Sequence, residues 1–328
     1  EQYLWDQAVV DAALDWIEQQ DGPWFCWVHL MDPHAEHRPP PQLWDWEARP
    51  PREKQAQYHY YADFEEQRAI PPDDVRQRLL EMYSAEVRGS DEQFGRALGA
   101  LRARPDWDST AVLFSSDHGE ELFETWFRYD HGMSMTEGVF RVPLIVRAPG
   151  VDPGVEPRIV EALQISPTVL GLFDVDAPYE LAGPSLLASN PSLGYALSYG
   201  SDITTSIRGG KYRFWLRHRK RPFERDFSPW RHEARWFQNK RSLASYSDSN
   251  GVLPTWADPT EPDLVPTVKK LERALERRHK DVKQADGVRV NDPEYLKRLI
   301  ELGYTDPTEL GLSDEEFERL RAEVGQQD

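Results

Sequence analysis

Ala111-Val112-Leu113-Phe114-Ser115-Ser116-Asp117-His118-Gly119-Glu120 is the stretch that decides the fold. Four apolar residues in a row have the length and character of a strand buried on both faces. A carboxylate and an imidazole follow within three residues of its end, and they supply an oxygen and a nitrogen ligand of the kinds that hold a metal ion. Gly119 permits a tight turn after them. A second Asp-His-Gly, Asp130-His131-Gly132, leads into another buried-strand pattern, Val142-Pro143-Leu144-Ile145-Val146. On turn chemistry alone, Asp-His-Gly is equally an exposed turn.

The same arrangement recurs near the start. Trp24-Phe25-Cys26-Trp27-Val28-His29-Leu30 is an apolar run that ends in Met31-Asp32-Pro33-His34. A long helical stretch from Asp73 to Arg104 separates it from Ala111–Phe114, the kind of crossover that parallel neighbours need. Strand–helix alternation over residues 73–187 predicts an α/β fold, a mostly parallel sheet sandwiched by helices. Trp24–Leu30, Ala111–Phe114 and Val142–Val146 are predicted to share that sheet, with their C-terminal ends on one side. Ligands of open α/β sheets bind at that edge.

Four segments in this order resemble the sulfatase family of the alkaline-phosphatase-like superfamily: FCWVHLMDPH at Phe25–His34, YSAEVRGSDEQFGRALG at Tyr83–Gly99, VLFSSDHGEE at Val112–Glu121 and RVPLIVRAPG at Arg141–Gly150. Weaker similarities follow at Ala162–Leu172, Leu181–Leu187, Gly210–Phe214 and Asp258–Asp263. The resemblance implies a metal-dependent hydrolase of sulfate esters, with Asp117 and His118 as metal ligands and His34 and His131 as catalytic groups that contact the anion or protonate the leaving alcohol. Family members with Asp-Asn at this turn use calcium. An imidazole in place of the amide also suits manganese or zinc.

Sulfatases carry their formylglycine nucleophile in a Cys/Ser-x-Pro/Ala-x-Arg motif, with two more metal-binding aspartates near the first strand. No such motif occurs here. The single cysteine, Cys26, lies inside an apolar run and reads as a buried structural thiol. Together with a start at Glu1, this predicts the C-terminal part of a longer sulfatase-like protein, inactive by itself. The superfamily leaves two other readings open. One is a phosphatase, phosphonate hydrolase or phosphotransferase on the same scaffold. The other is a noncatalytic relative acting as a binding module.

Composition narrows the partners. A formal net charge of −18 over 328 residues argues against nucleic acid held by phosphate attraction. There is no apolar run of the roughly 18 residues that a membrane-spanning helix needs. The expected partner is a small-molecule or carbohydrate sulfate or phosphate ester. Nine of the 39 basic residues are lysine, and an acidic, lysine-poor composition fits a salt-loving host or, alternatively, an ordinary acidic protein from a GC-rich genome. A cytoplasmic location is favoured, but with the true N-terminus expected to be missing the lack of a visible leader says nothing about secretion.

Three regions are predicted. Residues 1–190 form the α/β part, opening on an amphipathic helix. Within it, residues 35–72, rich in proline, charge and aromatics, read as a lid-like insertion. Residues 191–265 form a small antiparallel subdomain with a hairpin at Gly209-Gly210. Residues 266–328 form a helical tail: Val268–Lys283, Pro293–Leu302 and Ser313–Val324. Within the motifs, Asp32 reads as a turn-former, His37 as incidental, Glu120 and Glu121 as exposed, and Lys211 as structural.

Overall fold

A computed structural model describes residues 5–34, 37, 39–40, 42–44, 72–123, 129–131, 136–175, 183–200, 204–217, 241–246 and 255–281. Most of the lid-like insertion and the helices predicted at 293–302 and 313–324 lie outside the described residues. Two compact units divide the chain at His279, and all that follows concerns Glu1–His279.

The amphipathic opening becomes helix α1, Trp5–Glu18, with Val10 and Ile17 buried. Helix α2, Asp73–Arg102, begins after Pro72 with Asp73 and Asp74 in its first turn, where the helix dipole favours negative charge. Its buried residues Val75, Leu79, Met82, Glu86 and Gly89 are spaced by four and three, one face of a helix. A glutamate in that stripe is the exception, and it proves to matter. Arg104 fastens the end of α1, donating from Nη1 to the Ile17 carbonyl at 2.9 Å while its Nε bonds Asp106 at 2.8 Å.

Strand β1, Val112–Ser115, forms where the apolar run predicts it. It pairs antiparallel with β4, Leu144–Arg147, in the register Val112↔Arg147 to Ser115↔Leu144. This corrects the expectation that the two strands run parallel. Among the described residues, the segment between them holds the short antiparallel pair β2 (Glu121–Leu122) and β3 (Tyr129–Asp130) and a single helical turn, α3 (Glu137–Phe140), and no long crossover helix. A chain that turns back this way returns antiparallel. Residues 24–30 are assigned to no strand, and Phe25 and Trp27 are 58% and 81% exposed. Apolarity marks a segment that can be buried in a sheet, but the ladder needs a partner, and none is present among the described residues. The fold is α/β, and no parallel pairing occurs among the described residues.

Beyond β4, Glu161 and Gln164 form a reciprocal capping box ahead of α4, Ile165–Leu172, with Pro167 in its first turn as the sequence predicts. The predicted small antiparallel sheet has five strands in sequential order: β5 (Ala196–Gly200), β6 (Thr204–Gly209), β7 (Tyr212–Arg217), β8 (Arg241–Ser245) and β9 (Thr255–Ala257). The β6–β7 hairpin turns at Gly210, whose φ of +57° favours glycine. Helix α5, Val265–Asp281, lays Val268, Leu271, Ala274 and Leu275 against Ile207, Phe214 and Leu243 of this sheet. Each of the Val, Leu, Ile and Phe side chains among them, fully buried, contributes about 1.5–3 kcal/mol.

Candidate active site

The Asp-His-Gly turn is held from behind. At the end of β1, Ser115 Oγ donates to the Pro143 carbonyl at 3.0 Å, and the Gly119 amide donates to the Val139 carbonyl in α3 at 2.7 Å. A Cβ on Gly119 would lie 2.1 Å from the Gly138 carbonyl oxygen. Glycine is therefore required for close approach of α3, and this matters beyond the tight turn read from the sequence.

This turn sets the state of His118. Its Nδ1 lies 3.0 Å from the Gly119 carbonyl. A carbonyl only accepts, so Nδ1 carries the proton and, in the neutral ring, the lone pair sits on Nε2. Nε2 is buried and has no hydrogen-bond partner among the described residues. Oδ2 of Asp117 lies 3.7 Å away, while Oδ1 accepts the His118 amide at 2.9 Å.

His34 arrives from another part of the chain. Buried Asp6 in α1 accepts the Met31 amide on Oδ1 at 2.9 Å, and Ser90 in α2 donates to its Oδ2 at 3.0 Å. Asp6 and Ser90 thus pin the Asp-Pro turn, and His34 follows it. The His34 ring lies 6.5 Å from that of His118 and 5.3 Å from that of His131, centroid to centroid. His118 and His131 are stacked at 4.0 Å. The four predicted site residues therefore come together, from the turn after residues 24–30, the turn after β1 and the end of β3. Among the described residues, no three His, Cys, Asp or Glu side chains are grouped to hold an ion by themselves.

The sequence reading missed the layer beneath. Glu120 and Glu121 are buried, which corrects the expectation that they face solvent. Glu120 Oε2 lies 3.1 Å from His131 Nδ1. His37 is also no incidental surface residue. Its Nδ1 lies 2.5 Å from Glu86 Oε2, both side chains fully buried, with Tyr83 and Tyr129 edge-on to its ring. Burial pushes the His37 imidazole down to about 4, so the neutral ring donates its Nδ1–H to the Glu86 carboxylate. Burial, with the carboxylates of Asp6 and Glu86 nearby, pushes Asp32 up to about 7. The signal for this layer was available: Glu86 occupies a position of the α2 apolar stripe, and a buried carboxylate needs a partner. Cys26 is half-buried, and burial raises its thiol pKa.

The donor set suits part of a metal site. An imidazole nitrogen with no hydrogen-bond partner among the described residues and a carboxylate oxygen 3.7 Å apart match two ligands of one divalent ion, each at about 2.0–2.4 Å from it.

The family model described as Sulfatase matches residues 1–175, more than half of the chain. The chain belongs to the sulfatase family. A segment of this sulfatase chain is 40% identical over 106 residues to Arylsulfatase K of Danio rerio, covering 32% of this chain and 20% of that protein. Another is 33% identical over 108 residues to the Choline-sulfatase of Rhizobium meliloti, covering 32% and 20%. The matched stretches thus span one fifth of these curated relatives. Among solved structures, one described as a complex with its substrate D-Glucosamine-2-N, 6-O-disulfate superposes with a TM-score of 0.57 at 18% identity, covering 86% of this chain and 70% of the other. The Phosphonate Monoester Hydrolase of Agrobacterium radiobacter gives 0.52 at 17%, covering 84% and 60%. At these identities the likeness is one of fold.

Proposed function

We propose that this sulfatase chain supplies part of a metal-dependent sulfuric-ester hydrolase site acting on a sulfated carbohydrate or another small sulfate ester. The observation that carries the reading is the meeting of His34, His118 and His131, from three separate turns, with an Asp117 oxygen 3.7 Å from the buried Nε2 of His118.

In this reading Asp117 and His118 hold a divalent ion, calcium or, given the imidazole ligand, manganese or zinc. A bound ion supplies charge neutralisation for the ester oxygens and polarises the S–O bond. His34 and His131 bind the remaining sulfate oxygens, and one of them delivers a proton to the departing alcohol oxygen. Burial of Glu120 behind His131 and the Asp6–Ser90 clamp behind His34 hold both rings in place before substrate arrives. The nucleophile is contributed by residues other than these 328, so the chain alone does not turn over ester.

The experiment is hydrolysis of an aryl sulfate, an aryl phosphate and an aryl phosphonate by the full-length protein, side by side. Preference for the sulfate supports the reading. Preference for the phosphate or phosphonate would move the protein to another activity of the superfamily, and metal-independent activity would reject the site.

A further inference from the structure

We propose that Glu137 is a positioning residue for the Asp117-His118 turn, and that the C-terminal five-stranded sheet acts on the site through it. The inference deepens the functional reading above and rests on it for the importance of the turn.

Glu137 is the first residue of α3 and is 5% exposed. Its Oε1 takes two guanidinium contacts from the sheet, Arg213 Nε at 2.6 Å and Arg208 Nη1 at 2.8 Å. Both arginines are themselves buried. Arg213 is fixed further by Ser206 Oγ at 2.8 Å and Ser198 Oγ at 3.2 Å, and the Arg208 guanidinium lies 3.9 Å from the Tyr246 ring centre. The arginines stand opposite each other across the β6–β7 ladder, in the pair Arg208↔Arg213. Two like charges there repel unless an anion lies between them. The sheet therefore presents a preformed cationic fork, and Glu137 fills it.

From Glu137 the path to the site is short. The residues that follow, Gly138 and Val139, are those whose backbone receives Gly119. The Gly119 amide donates to the Val139 carbonyl, and the Gly138 carbonyl occupies the space a Cβ on Gly119 would need. The Gly119 carbonyl in turn accepts His118 Nδ1–H, which sets the ring so that Nε2 faces Asp117. A one-turn helix has little stability of its own. What holds α3 at this height is the fork in the sheet. Moving Glu137 moves the Val139 carbonyl, and with it the lone pair of His118. The sheet itself places none of the predicted catalytic or metal-binding residues at the site, so it works as a brace.

The test is amide hydrogen exchange of the chain followed by NMR, together with titration by Mn2+ alone, on Glu137→Gln, Ser206→Ala and Gly119→Ala. Glu137→Gln is expected to speed exchange at the Gly119 amide and weaken Mn2+ binding, each by about tenfold, while amides of the β1–β4 ladder change little. Ser206→Ala, which loosens Arg213 without removing a buried charge, should move both readouts the same way and less. Adding Glu137→Gln to Gly119→Ala should weaken Mn2+ binding no further than Gly119→Ala alone. A lowered melting temperature with Gly119 exchange unchanged would overturn the proposal, leaving the triad a plain structural staple. If Glu137→Gln does not fold, Ser206→Ala decides by the same exchange readout. The exchange result does not depend on ester hydrolysis. A protein inactive on sulfates with Gly119 released by Glu137→Gln loses the functional reading and keeps this one.

Discussion

His118 and His131 lie ring on ring, centroids 4.0 Å apart and planes 26° from parallel, yet their Nδ1 atoms face a carbonyl in one case and a carboxylate in the other. The Gly119 carbonyl fixes the proton of His118 on Nδ1. Nitrogen NMR of the histidine rings should show His118 as the Nδ1–H tautomer, with an unprotonated Nε2. A His118 signal from the opposite tautomer would remove the lone pair from the atom that faces Asp117.

Two protein donors make a weak site. Calorimetric titration of this chain with calcium or manganese should give dissociation constants of about 10⁻⁴ M or weaker. Asp117→Ala should abolish the residual binding, and Cys26→Ser should leave it unchanged. Tight binding lost with Cys26→Ser would place the metal elsewhere.

The stability of the fold should carry the mark of Asp32, which is pushed up to about 7 by burial and by the neighbouring Asp6 and Glu86 carboxylates. An unfolded aspartate titrates near roughly 4. Between the two values the folded state binds more protons, so stability falls as pH rises through about 7. His37 works in the opposite sense. It is pushed down to about 4, against roughly 6.5 when unfolded, so it disfavours folding as pH drops through that value and opposes the Asp32 effect weakly in the lower part of the range from about pH 6.5 to 8. Thermal melts of wild type against Asp32→Asn from pH 6.5 to 8 therefore isolate Asp32. Wild type should lose stability across this range, and Asp32→Asn should flatten the curve and melt higher at pH 8.

The fully buried His37–Glu86 pair should be intolerant of truncation. Removing the histidine leaves the Glu86 carboxylate without its ring donor in a dry interior. Urea denaturation of His37→Ala should show a loss of about 3 kcal/mol. A change within a few tenths of a kcal/mol would mean that water or another group takes over the carboxylate.

Much of this molecule was legible because its signals are local. The period of α2, the proline in the first turn of α4, the glycine turn of the β6–β7 hairpin and the polar clusters after apolar runs can all be read within a dozen residues. What escaped is set by partners distant in sequence. The direction of β4 against β1 depends on the turns between them, which carry no long crossover helix among the described residues. The burial of Glu120 and Glu121 depends on the β2–β3 pair folding them inward. His37 gains its meaning from Glu86, 49 residues away, and the strand expected at Trp24–Leu30 lacks a ladder among the described residues.

The central claim is that Asp117, His118, His34 and His131 form one ester-hydrolysing site, and the most direct test is turnover of an aryl sulfate by the full-length protein and its single variants. Asp117→Ala should remove bound metal and nearly all activity. His34→Ala and His131→Ala should each retain the fold and lower kcat by about 10²–10³-fold. Normal turnover after both histidine substitutions, or metal and activity retained without Asp117, would contradict the account.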